Sequence, residues 1–75
     1  MSPRLPRVTA SQMRRALHCD GWYEDEQEGS HLGFLHPVKH GHVTLPMHRG
    51  DLKVATIEGI PRQAGLSADE LRRLL

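Results

Sequence analysis

Six histidines in a chain of 75 residues are the side chains that first suggest chemistry: His18, His31, His36, His40, His42 and His48. Imidazole, with an ordinary pKa of about 6.5, gives or takes a proton near neutrality, and it also ligates metals. His36, His40 and His42 crowd around one expected turn, with His48 following, which raises a metal hypothesis. A structural zinc site asks for four ligands and usually includes thiolates. The only thiol is Cys19, expected on the other side of the domain, so no metal centre is expected. His31 stands differently. It falls in Gly29-Ser30-His31-Leu32-Gly33-Phe34, where alternation puts Leu32 and Phe34 on one face of a strand and His31, Gly33 and Leu35 on the other. If the apolar pair faces a core, His31 faces outward from a rigid support.

The elements that must hold this segment follow from local signals. Thr9 and Gln12 have capping-box spacing, Val8, Met13, Ala16 and Leu17 lie near one helical face, and Asp20-Gly21 is a stop, which predicts a helix over 10–19. Three short strands are expected over 22–27, 30–36 and 42–46, joined by turns at Glu28-Gly29 and Pro37–Gly41 as an antiparallel meander. Met47–Leu52 reads as a loop. A second helix is expected over 54–64, closed by Gly65, with Pro61 kinking or shortening it. Ser67 and Glu70 form another capping box, opening a short helix that carries Leu71, Leu74 and Leu75.

The order is α-β-β-β-α with a short extra C-terminal helix. It is an α+β fold in which a three-stranded antiparallel sheet carries its helices on one face, like the double-stranded-RNA-binding domain. Residues 1–7, with two prolines and no apolar periodicity, read as a loose arm. Residues 8–75 read as a single domain. A chain this short buries only about 60% of its unfolded surface, so a partner or tight packing is expected to add stability.

The net charge of +1 says little, but its distribution is segregated. Arg4, Arg7, Arg14 and Arg15 precede any acid. Asp20, Glu24, Asp25, Glu26 and Glu28 then form an acidic run, and the stretch from Lys39 to Lys53 is basic and histidine-rich. Such a chain presents two electrostatic faces, one suited to phosphate. One cysteine excludes an internal disulfide framework and fits a reducing compartment. No apolar run approaches the ~20 residues that cross a bilayer, and Met1–Arg7 is charged without a following apolar stretch, unlike a secretory signal. A cytoplasmic protein that does not bind membranes is expected.

Taken together, Gly21-Trp22, Gly29-Ser30-His31-Leu32-Gly33-Phe34, His36-Pro37, Val43-Thr44-Leu45-Pro46, Asp51-Leu52-Lys53, Thr56 and Gln63-Ala64-Gly65-Leu66 resemble the HicA toxin family, from about Val8 to Leu74. The Gly-Ser-His triplet is a weak match alone, but its placement between Gly-Trp and Gln-Ala-Gly-Leu in a chain of this size is far more specific. The resemblance implies a fold like the double-stranded-RNA-binding domain and an mRNA interferase of a type II toxin–antitoxin system, an endoribonuclease without a required metal or other cofactor. It implies a HicB-like antitoxin as partner and mRNA as substrate. It implies that the histidine of the triplet, His31, is catalytic. The chain departs from the family pattern in its acidic first strand, where many members are basic at the positions of Glu26 and Glu28. It also departs at Ala55, where a glycine is usual, and at Gly59 and Pro61.

The chemistry agrees with that placement. RNA carries its own nucleophile, the 2′-hydroxyl, and cleavage needs a proton taken from it, a proton given to the leaving oxygen and stabilisation of the phosphorane charge. His31 is expected to be the general acid or base. Ser30 orients phosphate or ring, and Lys39, Arg49, Lys53, Arg14 and Arg15 are the expected phosphate contacts. The alternative is a non-catalytic RNA-binding domain of the same fold. Duplex binders of that kind use lysines at a helix N-terminus, and this chain has only Lys53 near its second helix and Lys39 elsewhere.

Overall fold

The structure of the protein, a computed structural model, describes residues 7–75, so of the arm expected over residues 1–7 all but Arg7 lies outside the described residues. The element order is α1 (Ala10–Cys19), β1 (Tyr23–Glu28), β2 (His31–Leu35), β3 (Val43–Pro46), α2 (Val54–Ala64) and α3 (Ala68–Leu74). It is the expected α-β-β-β-α order with an added helix. The strands form one antiparallel sheet in the order β1-β2-β3.

Helix α1 begins where the capping box places it. The Thr9 hydroxyl accepts from the Gln12 amide at 3.2 Å, and the Gln12 side chain accepts from the Thr9 amide at 2.8 Å. Helix α3 opens the same way on Ser67 and Glu70. Helix α2 differs from expectation: it runs unbroken over eleven residues with Pro61 buried inside it. Proline removes one amide donor, and burial of Ile57, Ile60, Pro61 and Ala64 in the core holds the turn together regardless. Gly65 ends this helix in the left-handed conformation at φ 68°, and the Leu66 amide reaches back to the Pro61 carbonyl at 2.7 Å, a glycine-terminated cap.

The strands start and stop about a residue away from their expected limits. Glu28 pairs with His31, so the first hairpin turns through Gly29 and Ser30 rather than Glu28 and Gly29. Gly29 takes φ 60°, the positive value that a two-residue hairpin loop asks of its first member. Trp22 precedes β1 and is buried, whereas every residue of β1 is exposed. A bulge between Glu24 and Glu26 interrupts the pairing of β1 with β2. An edge strand carrying charge and a bulge is poorly suited to pair with another chain.

Leu32, Phe34, Val43 and Leu45 join the helices' Met13, Ala16, Leu17, Ile57, Ile60 and Leu71 in one core. Leu32 lies opposite Leu45 and Phe34 opposite Val43. Alternation therefore sends His31 and Gly33, with their partners Pro46 and Thr44, to the other face. Gly33 is nevertheless buried, because the His42 imidazole lies over it: a Cβ there would come within 2.8 Å of the His42 Nε2.

Candidate active site

His31 opens β2 immediately after the Gly29-Ser30 turn, between Glu28 of β1 and Pro46 of β3. Its side chain is exposed, on the sheet face away from the core. The backbone beneath it is held on both sides by strand pairing, so the ring has a firm base and open access.

The loop after β3 is brought to the same place and fixed there. At its start the Met47 amide donates to the Ser30 carbonyl at 2.6 Å, and at its end the Leu52 amide donates to the Val8 carbonyl at 2.7 Å. Asp51 also bridges to Thr9. Between these anchors His48 stands beside His31, with ring centroids 6.4 Å apart and planes at 81°. Met47, His48, Arg49 and Gly50, with Thr9, Ala10 and Ser11 from the start of α1, line an open cleft of about 420 Å³.

The basic residues expected to meet phosphate divide into two groups. Arg49 lines the cleft, and Lys53 is the N-cap of α2. With Arg15, both are exposed and enter no ion pair among the described residues. Arg14 and Lys39, by contrast, are each paired with a carboxylate. Arg14 bonds to Glu24 at 2.5 Å, and His18 meets the other oxygen of that carboxylate at 3.0 Å. Lys39 donates to Asp20 at 2.6 Å and to the Ala64 carbonyl at 3.0 Å. A phosphate approaching either cation would share it with a carboxylate already in contact.

Two of the histidines around the second turn, His36 and His42, pack against the fold. His36 donates from Nε2 to the Asp20 carbonyl at 2.8 Å, and its Nδ1 accepts from the amides of Val38 and Lys39, each at 3.0 Å. Both ring nitrogens are thus used, and the ring packs edge-on against Trp22 with centroids 5.1 Å apart. Gly21, at φ 101°, makes room for it, since a Cβ there would fall 2.7 Å from the His36 Nε2. His42 covers Gly33. Among the described residues no group of three or more His, Cys, Asp or Glu side chains is arranged to hold a metal ion.

An exposed imidazole on a strand, with a second imidazole and an arginine on an anchored loop beside it, is an arrangement able to move protons next to an anion. The family described as the HicA toxin of bacterial toxin–antitoxin systems matches residues 10–66. The chain belongs to the HicA toxin family. Its role is accordingly that of a toxin in a bacterial toxin–antitoxin system, and the match spans α1, all three strands and α2. Among curated protein sequences none matches the chain. Among the described residues no helix is long and apolar enough to cross a membrane.

Sequence reasoning singled out His31 but treated His48 only as one more member of a histidine-rich stretch. The signal that finds it is register. His31 pairs with Pro46, the last residue of β3, so the loop that leaves the sheet there carries His48, two residues on, past His31.

Proposed function

We propose that this HicA-family chain is an mRNA interferase, an endoribonuclease in which His31 acts as general acid or base on the phosphodiester, and that a HicB-like antitoxin neutralises it. The observation that carries this reading is the exposed His31 ring, set on a paired strand at the mouth of the Gly29-Ser30 turn and away from the core. Family membership supplies the toxin role. Acid–base help of this kind is worth about 10²–10⁴-fold. The nucleophile is the substrate's own 2′-hydroxyl, so the chemistry asks for no metal-bound water. Arg49 and Lys53 are the cations best disposed to take the phosphate charge, with Arg15 further along the strand of RNA and Ser30 orienting phosphate or ring. Lys39 and Arg14 drop out of that set because Asp20 and Glu24 already engage them.

The alternative of a non-catalytic RNA-binding domain is weakened by the same geometry. Duplex-RNA binders of this fold use lysines at a helix N-terminus, and of the two lysines in the chain one is engaged by Asp20.

The test is the His31→Ala variant, produced without any antitoxin beside the wild-type chain. The variant is expected to keep the fold, since its side chain is exposed, and to lose both RNA cleavage and growth arrest. A folded His31→Ala chain that still cleaves RNA removes the assignment. A wild-type chain that shifts labelled RNA without cutting it favours the binding domain.

A further inference from the structure

We infer that His48 is the second proton-transfer group of this site, so that His31 and His48 work as a pair, one as base and the other as acid. The inference rests on the RNA-cleaving reading above. It stands on three features of the fold. The rings lie 6.4 Å apart, between centroids, and at 81° to one another. Each ring needs a phosphate oxygen within about 2.6–3.2 Å of one of its nitrogens, and rings this close together can reach two oxygens of one phosphate placed at their exposed edges. His48 is held there by its loop, since Met47 bonds to the Ser30 carbonyl at 2.6 Å, immediately before His31, and Leu52 bonds to Val8. Arg49 follows His48 in the chain and lines the cleft with it, which brings a positive charge next to the second ring.

The competing reading is an ordinary edge-to-face aromatic pair, which spans centroid distances of about 4.5–7 Å. It accounts for the angle. It does not account for two titratable rings meeting on the exposed face of the sheet instead of in the core, one of them in the wall of an open cleft. Of the other histidines, His36 is bonded to the Asp20 carbonyl and His18 to Glu24, and His42 lies over Gly33.

One imidazole, neutral, takes the proton of the 2′-hydroxyl as that oxygen attacks phosphorus. The other, protonated, gives its proton to the 5′-oxygen as the P–O5′ bond breaks. The products are a 2′,3′-cyclic phosphate and a free 5′-hydroxyl. The two rings have exchanged protonation states, and proton exchange with water restores them. A single histidine would have to leave one of these transfers to solvent.

The experiment uses the full chain and an RNA whose cleavage position has been mapped with the wild type. The RNA is made once with its natural linkage and once with sulfur replacing the bridging 5′-oxygen at that position. A thiolate leaves without needing a proton, so loss of the acid is repaired and loss of the base is not. On the natural linkage, His31→Ala and His48→Ala are each expected to slow cleavage by about 10²–10⁴-fold. On the sulfur linkage, one of the two variants and not the other is expected to return to near the wild-type rate. His48→Gln, which keeps a polar side chain of similar reach but cannot deliver a proton, is expected to behave as His48→Ala and serves if the alanine variant fails to fold. A folded His48 variant with the wild-type rate on the natural linkage overturns the pair while leaving His31 in place. Rescue of both variants, or of neither, also overturns it. An unaffected His31→Ala variant sinks the reading of the protein as a histidine-dependent nuclease instead.

Discussion

The ammonium of Lys39 lies 2.6 Å from the Asp20 carboxylate and ties the end of α1 to the end of α2. The Lys39 ammonium donates also to the Ala64 carbonyl, and Asp20 accepts from the Trp22 indole at 3.0 Å. A cation at the last carbonyls of α2 also complements that helix's dipole. The pair is partly shielded, with side-chain exposures of 33% and 19%, and hydrogen bonds to charged groups contribute about 1.5–3 kcal/mol each when well placed. Lys39→Ala is therefore expected to lower stability by about 1–3 kcal/mol, read as a lower midpoint in denaturant, with the RNA-cleavage rate of the folded fraction unchanged. A Lys39→Ala chain that keeps its midpoint but loses affinity for RNA would restore the phosphate-binding role first expected of this residue.

Lys39 also marks where the sequence stops being informative. Charge patterning identifies a lysine in a basic stretch, but its partner stands nineteen positions away, and nothing local announces it. Arg14 and Glu24 are a similar case, joined across the end of α1 and the start of β1. The elements themselves were legible, because their determinants are local. Both capping boxes form with the expected residues, and Gly65 takes the left-handed conformation that closes α2. Pro61 is the exception, since tertiary burial overrode a correct local preference. The first hairpin moved by a residue because a turn through Gly29-Ser30 lets Glu28 and His31 pair.

The site was legible in proportion to its dependence on alternation. The outward direction of His31 follows from Leu32 and Phe34 alone. The position of His48 needs the β2–β3 register as well, and that register follows from where the Pro37–Gly41 segment turns. The roles of His36 and His42 depend on which loop covers which glycine, Gly21 in one case and Gly33 in the other, and are visible only in three dimensions.

The capping box of α3 makes a pH-dependent contribution whose sign is fixed. The Ser67 amide donates to the Glu70 carboxylate at 3.0 Å. That bond, with the Ser67 side chain contributing further, holds the Glu70 pKa below its ordinary 4.5. A carboxyl whose pKa is lower in the folded chain contributes stability above its unfolded value and loses it as pH falls through the folded one. Glu70→Gln keeps a capping side chain that does not titrate. The wild type is expected to be the more stable of the two near neutrality, with the difference shrinking as the pH drops below about 4.5. Thermal midpoints of both proteins across that range measure it, and a difference that stays constant into acid would contradict the assignment.

The acidic β1 bears on how strongly RNA is held beside His31. Glu28 pairs directly with His31, and Glu26 pairs with Gly33, so alternation puts both carboxylates on the sheet face that carries the imidazole. They are exposed, and in a water-like dielectric two unit charges 4 Å apart interact by only about 1 kcal/mol. Each carboxylate should therefore weaken approach of a phosphate without forbidding it. The double variant Glu26→Gln, Glu28→Gln is expected to lower the KM for RNA by about two- to tenfold, as one or two repulsions of a few tenths to 1 kcal/mol are removed. The rate at saturation should change little, because neither residue is assigned a proton. Added salt screens exposed charges beyond about 10 Å at 0.1 M, so the gain over wild type is expected to shrink as ionic strength rises. Steady-state cleavage at two salt concentrations decides it. A loss of rate at saturation in the double variant would mean that one of these carboxylates takes part in the chemistry at His31 and is not a bystander on its edge strand.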